Sequence, residues 1–398
     1  MKKILFTLLV FLSFACAQRE NPRVEKFDYL KFHYDAIVAD THNDVLLRAM
    51  EGEDISVETR VGHSDLARLK KGGVDIQVFA VWVDPIAFEK KPFKRAKDMI
   101  DTLYSIARRN SDKIAVVRNS AELEKAIAEG KICAVIGVEG GHAIENSIEK
   151  LEELYKLGVR YLGLTWNNST DWASSAFDET TNPDKVKITG LSEFGKKVVE
   201  KMNELGMIVD VSHLGEKAFW DVVKVTKKPI IASHSSVYKL CPHYRNLKDE
   251  QIKAIAQTGG VVFVNFYAEY IDSTFNTKRK KLEEKYKSQF DSIRVLYEHD
   301  QNAYRRARRQ LMQKIAEELR PPLDVLIDHI DYIAKLVGVD HVGIGSDFDG
   351  ISITPLEMDD VTFLPNITKK LLERGYSTDD VKKILGGNFL RVFKQICG

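Results

Sequence analysis

Short apolar runs bounded by Gly or Asp alternate along this chain with stretches whose apolar residues recur at helical spacing. The runs cover residues 36–40, 74–83, 132–138, 161–166, 207–211, 230–233, 261–266 and 342–346. Between them, residues 147–157, 192–205, 215–225, 249–257 and 322–337 read as helices with one apolar face. Near-continuous apolar strands joined by helices predict a parallel sheet covered on both faces. Eight such units predict an α/β fold, a TIM-type (β/α)8 barrel, with an open doubly wound sheet as the fallback. No repeat, low-complexity tract or long linker divides residues 18–398, which read as one barrel domain with insertions. The largest insertion, 271–320, carries Lys278-Arg279-Lys280-Lys281 and Arg305-Arg306-Ala307-Arg308-Arg309 in helix-forming sequence. It reads as a solvated helical hairpin, with a lid or a homodimer contact as the alternative. Residues 167–190, rich in Asn, Ser, Thr and Asp, follow the fourth run and are placed to shape a pocket.

The N-terminus departs from this pattern. Lys2-Lys3 precede an apolar run over 4–15 that is too short to span a bilayer and reads, with Cys16-Ala17, as a signal peptide over 1–17. Cleavage after Ala17 and lipidation of Cys16 are both open. Either predicts export, to a bacterial periplasm or to an envelope membrane anchored through Cys16 alone. With 59 Lys+Arg against 58 Asp+Glu, the chain lacks the net field that nucleic-acid binding requires. Cys133, Cys241 and Cys397 are too few for a disulfide framework, and Cys133, inside an apolar run, reads as a buried thiol.

The polar residues hardest to explain by packing fall at the C-terminal ends of the predicted strands. They are His42 and Asp44 after the first, Glu139 after the third, His213 after the fifth, His234 after the sixth and Asp347 after the eighth. In a closed barrel these converge on one bowl, where burying so many imidazoles and carboxylates is costly unless a cation joins them. Nitrogen and oxygen donors without a Cys ligand suit zinc, and five ligands exceed the needs of one open tetrahedral ion. Two ions per chain use them economically: His42 and Asp44 on one, His213 and His234 on the other, Glu139 between. Such a pair, about 3.5 to 4 Å apart, holds a bridging hydroxide for attack on a carbonyl. Asp347 is then the free carboxylate that moves the proton. The remaining histidines, His33, His63, His243, His299, His329 and His341, read as surface or structural, and His142 as either a support for Glu139 or a polar residue at a helix start.

Asp40-Thr41-His42-Asn43-Asp44, Gly137-Val138-Glu139-Gly140-Gly141-His142, Ser233-His234-Ser235-Ser236, Tyr244-Arg245-Asn246 and Asp347-Phe348-Asp349-Gly350 resemble the membrane (renal) dipeptidase family of the amidohydrolase superfamily. The resemblance spans the mature chain. It implies a binuclear zinc enzyme that cleaves dipeptides, often with a D-residue at the C-terminal position, and it implies the same five ligands. It further implies that Arg245 holds the substrate carboxylate, for which a planar guanidinium is suited. Asp347 would handle the proton and the substrate amine, and Tyr270 is a weaker candidate for lining the pocket. One position departs: where mammalian members have a His after the fourth strand, this chain reads Trp166-Asn167-Asn168. Trp166 donates one N–H but carries no charge, so Asn167 or Asn168 substitutes for the His, the metal alone suffices, or the substrate differs; Trp166 and Asn167 are candidate substrate contacts. The expected function is an exported zinc dipeptidase acting on small peptides. The alternatives are another carboxylate-bearing amide or lactone as substrate, or a surface lipoprotein that binds peptides without cleaving them.

Overall fold

The computed structural model describes residues 27–398, so the signal expected over 1–17, with Cys16, lies outside the described residues. Nine strands form one parallel sheet: β1 (Ala39–Asn43), β2 (Ile76–Trp82), β3 (Ile114–Val116), β4 (Ile132–Glu139), β5 (Val159–Gly163), β6 (Ile208–Asp210), β7 (Ile230–Ala232), β8 (Val261–Val264) and β9 (Val342–Ile344). The order β1-β2-β4-β5-β6-β7-β8-β9 is that of a TIM-type barrel. Strand β3 was not expected: its three residues pair with Ile132 to Ala134 of β4, below the point where β5 joins at Ile136. Three apolar residues are too few to show a period.

Between β9 and β1 the barrel is closed by the residues that follow the strands. Asp347 donates its N–H to His42 O (3.1 Å), Asp44 donates to Phe348 O (2.9 Å), and Asn43 and Phe348 form a single bridge. β1 also lies three residues later than the apolar run 36–40. Its polar residues are tolerated because they are paired inside the barrel: Asp40 accepts from Ser346 N–H and Oγ, and Thr41 Oγ donates to Ser233 O. His42 is therefore a residue of β1, with Asp44 just beyond it.

Alternation along the strands separates two cores. Inward residues such as Val78, Val135, Ile208 and Phe263 fill the barrel, plugged at its lower end by Phe389 and Phe393 of the last helix (Asn388–Cys397). Cys133 belongs to this interior, a free buried thiol as expected. Outward residues pack against the surrounding helices, among them Ile148–Lys156, Glu193–Leu205, Glu216–Val225, Asp249–Gln257 and Leu323–Val337, close to the spans their periodicity predicts. The insertion forms two helices, Phe275–Leu296 and Gln301–Leu319, whose Leu282 and Tyr286 face Leu311 and Ile315 in a small core of their own. No helix among the described residues is long and apolar enough to cross a membrane.

Candidate metal centre

The rim of the barrel brings His42, Asp44, Glu139, His213, His234 and Asp347 together. Glu139 Oε1 lies 2.9 Å from His213 Nε2 and 3.3 Å from His234 Nε2, and its Oε2 lies 3.5 Å from His42 Nε2. Asp44 Oδ2 is 3.4 Å and Asp347 Oδ1 is 4.0 Å from the same His42 nitrogen. Glu139 thus presents one oxygen to the His213–His234 side and the other to the His42–Asp44 side. His213 and Asp347 both adopt left-handed backbone, with φ of 65° and 63°, which turns their side chains back over the bowl. Such strain is held only where the surroundings fix it.

Hydrogen-bond accounting sets the state of each ring. His42 Nδ1 lies 2.8 Å from Tyr161 Oη, whose own hydrogen goes to Thr41 O. His234 Nδ1 lies 2.8 Å from Ser233 Oγ, whose hydrogen goes to Asp210 Oδ2. His213 Nδ1 lies 3.0 Å from Asn167 Oδ1, an acceptor. All three Nδ1 atoms are therefore donors, which leaves the three Nε2 atoms, aimed at one another and at carboxylates, to take a metal ion or a proton. His213 Nε2 and His234 Nε2 are 3.1 Å apart, and buried His42 Nε2 has no hydrogen-bond partner. Nε2 atoms facing one another and carboxylates in a buried site fit metal cations, and this donor set suits zinc. Besides a metal, positive charge at the cluster comes from protons and from Arg245, which lines the same cleft and acts on His213 and His234. Burial opposes protonation of His42, but Tyr161, Glu139 and Asp44 outweigh it and raise its pKa well above the usual value. Burial, reinforced by Asp44 and Glu139 against the opposing pull of His42, pushes the Asp347 carboxyl up to about 8.

A cleft of about 400 Å³ opens over this cluster, lined by Trp82, Trp166, Asn167, Arg245, Tyr267 and Tyr270 among others. Arg245 is only 3% exposed. It donates to His234 O at 3.1 Å, its Nε is unpartnered, and no carboxylate of the described residues lies within ion-pair distance. Its guanidinium stands 5.4 Å from the Tyr270 ring centroid. Trp166 packs edge-on against Trp82, ring centroids 5.0 Å apart. Asn167 lines the cleft but spends its side-chain carbonyl on His213. His142 Nε2 is bonded to Val83 O, while Glu139 acts on the ring through its charge.

Several residues that build the site were not singled out from the sequence. Tyr161 crosses the barrel interior to reach His42, and Gly137 makes room for it: a Cβ at Gly137 would lie 2.2 Å from the Tyr161 ring. A glycine inside an otherwise bulky strand was the available signal. Asn265 Nδ2 donates to Asp347 Oδ2 at 2.8 Å and orients that carboxylate. A Cβ on Gly350 would meet Asp44 Oδ2 at 2.3 Å and Asp347 Oδ1 at 2.5 Å, so the Asp347-Phe348-Asp349-Gly350 turn needs its glycine for close approach.

A parallel barrel with imidazoles and carboxylates converging at its C-terminal rim defines a metal-dependent hydrolase barrel. Residues 29–397 match the membrane dipeptidase family, peptidase family M19, and the chain belongs to that family. Solved structures agree. The chain is similar to dipeptidase AC, a metallopeptidase of family M19, with 27% identity and a TM-score of 0.74 over 91% of this chain and 99% of that one. It is similar to the probable dipeptidase PvdM from Pseudomonas aeruginosa, with 26% identity and a TM-score of 0.77 over 92% and 97%. It is also similar to a metallopeptidase from Rhodobacter sphaeroides solved with a phosphinate mimic of the dipeptide L-Ala-D-Ala, with 27% identity and a TM-score of 0.72 over 91% and 100%.

Proposed function

We propose that this chain is an exported zinc dipeptidase that cleaves dipeptides with a free C-terminal carboxylate, L-D dipeptides included. The observation that carries the reading is Arg245: a buried guanidinium without a carboxylate partner, in the same cleft as the metal centre, is built to receive an anion. A free carboxylate on the residue after the scissile bond meets that need, and a longer peptide places a neutral amide there instead. Bidentate pairing fixes the substrate so that its scissile bond lies over Glu139. His42, Asp44, Glu139, His213 and His234 would hold two zinc ions, which when bound supply an activated water and polarise the carbonyl. Asp347, oriented by Asn265 and near both Asp44 and His42, takes up the proton and returns it to the departing amine. The mimic of L-Ala-D-Ala on the Rhodobacter relative supports including D-residues at the C-terminal position.

Purified mature protein with zinc, assayed on L-L and L-D dipeptides, their C-terminal amides and tripeptides, tests the reading. Turnover confined to free dipeptides is the expected result. No turnover of any dipeptide by chain carrying two zinc ions would sink the substrate assignment. Turnover of N-acyl amino acids in its place would point to another amide class that satisfies Arg245 equally. Export rests on residues 1–17, and mass spectrometry of the mature chain distinguishes cleavage after Ala17 from a lipidated Cys16.

A further inference from the structure

The three histidines are not supported alike. Tyr161 and Ser233, which hold His42 and His234, belong to barrel strand β5 and to the residue directly after β7. His213 is held by a segment outside the barrel. Asn167 Oδ1 takes its Nδ1–H at 3.0 Å, and Ser175 Oγ pins Asn167 through its backbone carbonyl at 2.7 Å. The same segment grips the histidine's backbone: Ala176 N–H donates to His213 O at 2.8 Å, Gly215 N–H donates to Ser174 O at 2.9 Å, and Ser175 bridges Leu214 in antiparallel fashion. The left-handed φ of His213 is thus maintained by residues 167–176 clasping it at side chain and main chain together.

Resting on the metal-pair reading above, we propose that Asn167 is a positioning residue for one metal position only. By accepting the Nδ1 hydrogen it fixes His213 as an Nε2 donor, so the ion between His213, His234 and Glu139 depends on the docked 167–176 segment. None of the hydrogen bonds that hold His42 and Asp44, from Tyr161 and from the turn after β9, comes from that segment. The two positions therefore bind with unequal affinity, and the weaker is the one nearer Asn167. Trp166, next in sequence and packed on Trp82, anchors the start of the segment to the cleft wall.

Stepwise zinc titration of metal-free full-length mature chain against a chromophoric chelator tests this. Wild type should take up two ions in distinguishable steps. Asn167→Ala should weaken the second step about 10 to 100 fold, the usual effect of removing a group that orients a metal-bound histidine, and leave the first step unchanged. The intact first step also reports that the variant is folded. Asn167→Asp keeps an oxygen acceptor for His213 Nδ1 and should restore the second step. Wild-type affinity at both steps in Asn167→Ala overturns the inference, as does equal weakening of both. A wild-type chain that takes up no zinc sinks the metal reading and the inference with it, whereas two wild-type ions with an unaltered variant removes the inference alone.

Discussion

His213 and Asp347 line the same cleft, yet their removal should have different signatures. His213→Ala leaves Glu139 and His234 without a third donor and should lose zinc and turnover together, measured by metal analysis beside the assay. Asp347→Asn keeps the hydrogen bond from Asn265 and the metal donors; it should retain zinc and KM and lose mainly kcat, by about 100 fold or more. If Asp347→Asn is kinetically silent, another group moves the proton. Arg245→Lys preserves charge but not the planar fork, and the change should raise KM for dipeptides by about 10 to 100 fold while zinc content holds. His213 and Asp347 were candidates from the sequence because an imidazole or carboxylate closing an apolar strand needs a reason beyond packing, whereas Arg245 was reached only through the family resemblance. Tyr161 and Asn265 were not candidates: each becomes meaningful only once the barrel brings it against a residue far off in sequence, His42 for the first and Asp347 for the second.

Among the elements, β4 and β5 carry a dependence between core and site. Gly137→Ala would drive a methyl group into the Tyr161 ring, forcing the ring off His42. Overpacking of this kind costs about 1 to 3 kcal/mol, so denaturant unfolding should show a loss in that range and zinc should bind more weakly. Unchanged stability and unchanged zinc affinity would mean that the ring has room to move. The helices were legible to within a residue or two because their apolar period runs over several turns. Strand β1 was misplaced for a physical reason: Asp40, Thr41, His42 and Asn43 are all buried, and the partners of the first three lie on or just past other strands. The hairpin of Phe275–Leu296 and Gln301–Leu319 was visible as charged helical sequence, but the contact of its core with Ile353, beside the cleft residues Ile351 and Ser352, was not.

Across the whole molecule, stability should follow both zinc and pH. A buried cluster of imidazoles and carboxylates is destabilising when empty, and an ion present at a hundredfold over its Kd adds about 2.7 kcal/mol. Chelation should lower Tm and zinc should restore it; a Tm indifferent to chelator would mean that no ion is held there. Outside the site, His329 is buried and neutral, its Nδ1 accepting from Val237 N–H and its Nε2 donating to Ile271 O, and burial lowers its pKa to about 4. The unfolded chain takes this proton near pH 6.5 and the folded chain only near 4. Stability from this residue is therefore complete above pH 6.5 and drains away as pH falls, by about 2 kcal/mol between pH 7 and 5. Urea unfolding at those two pH values should show a smaller difference in His329→Gln than in wild type.

The seam between β9 and β1 sets the order in which this protein comes into being. Asp347 N–H reaches His42 O, and Asn43 bridges Phe348, so the ends of the first and last strands complete one another beside the bowl. All five proposed zinc donors precede residue 235 in the chain, yet the wall that encloses them closes only when the ninth strand arrives. A nascent chain therefore carries the donors early and can complete the wall around them only at the end.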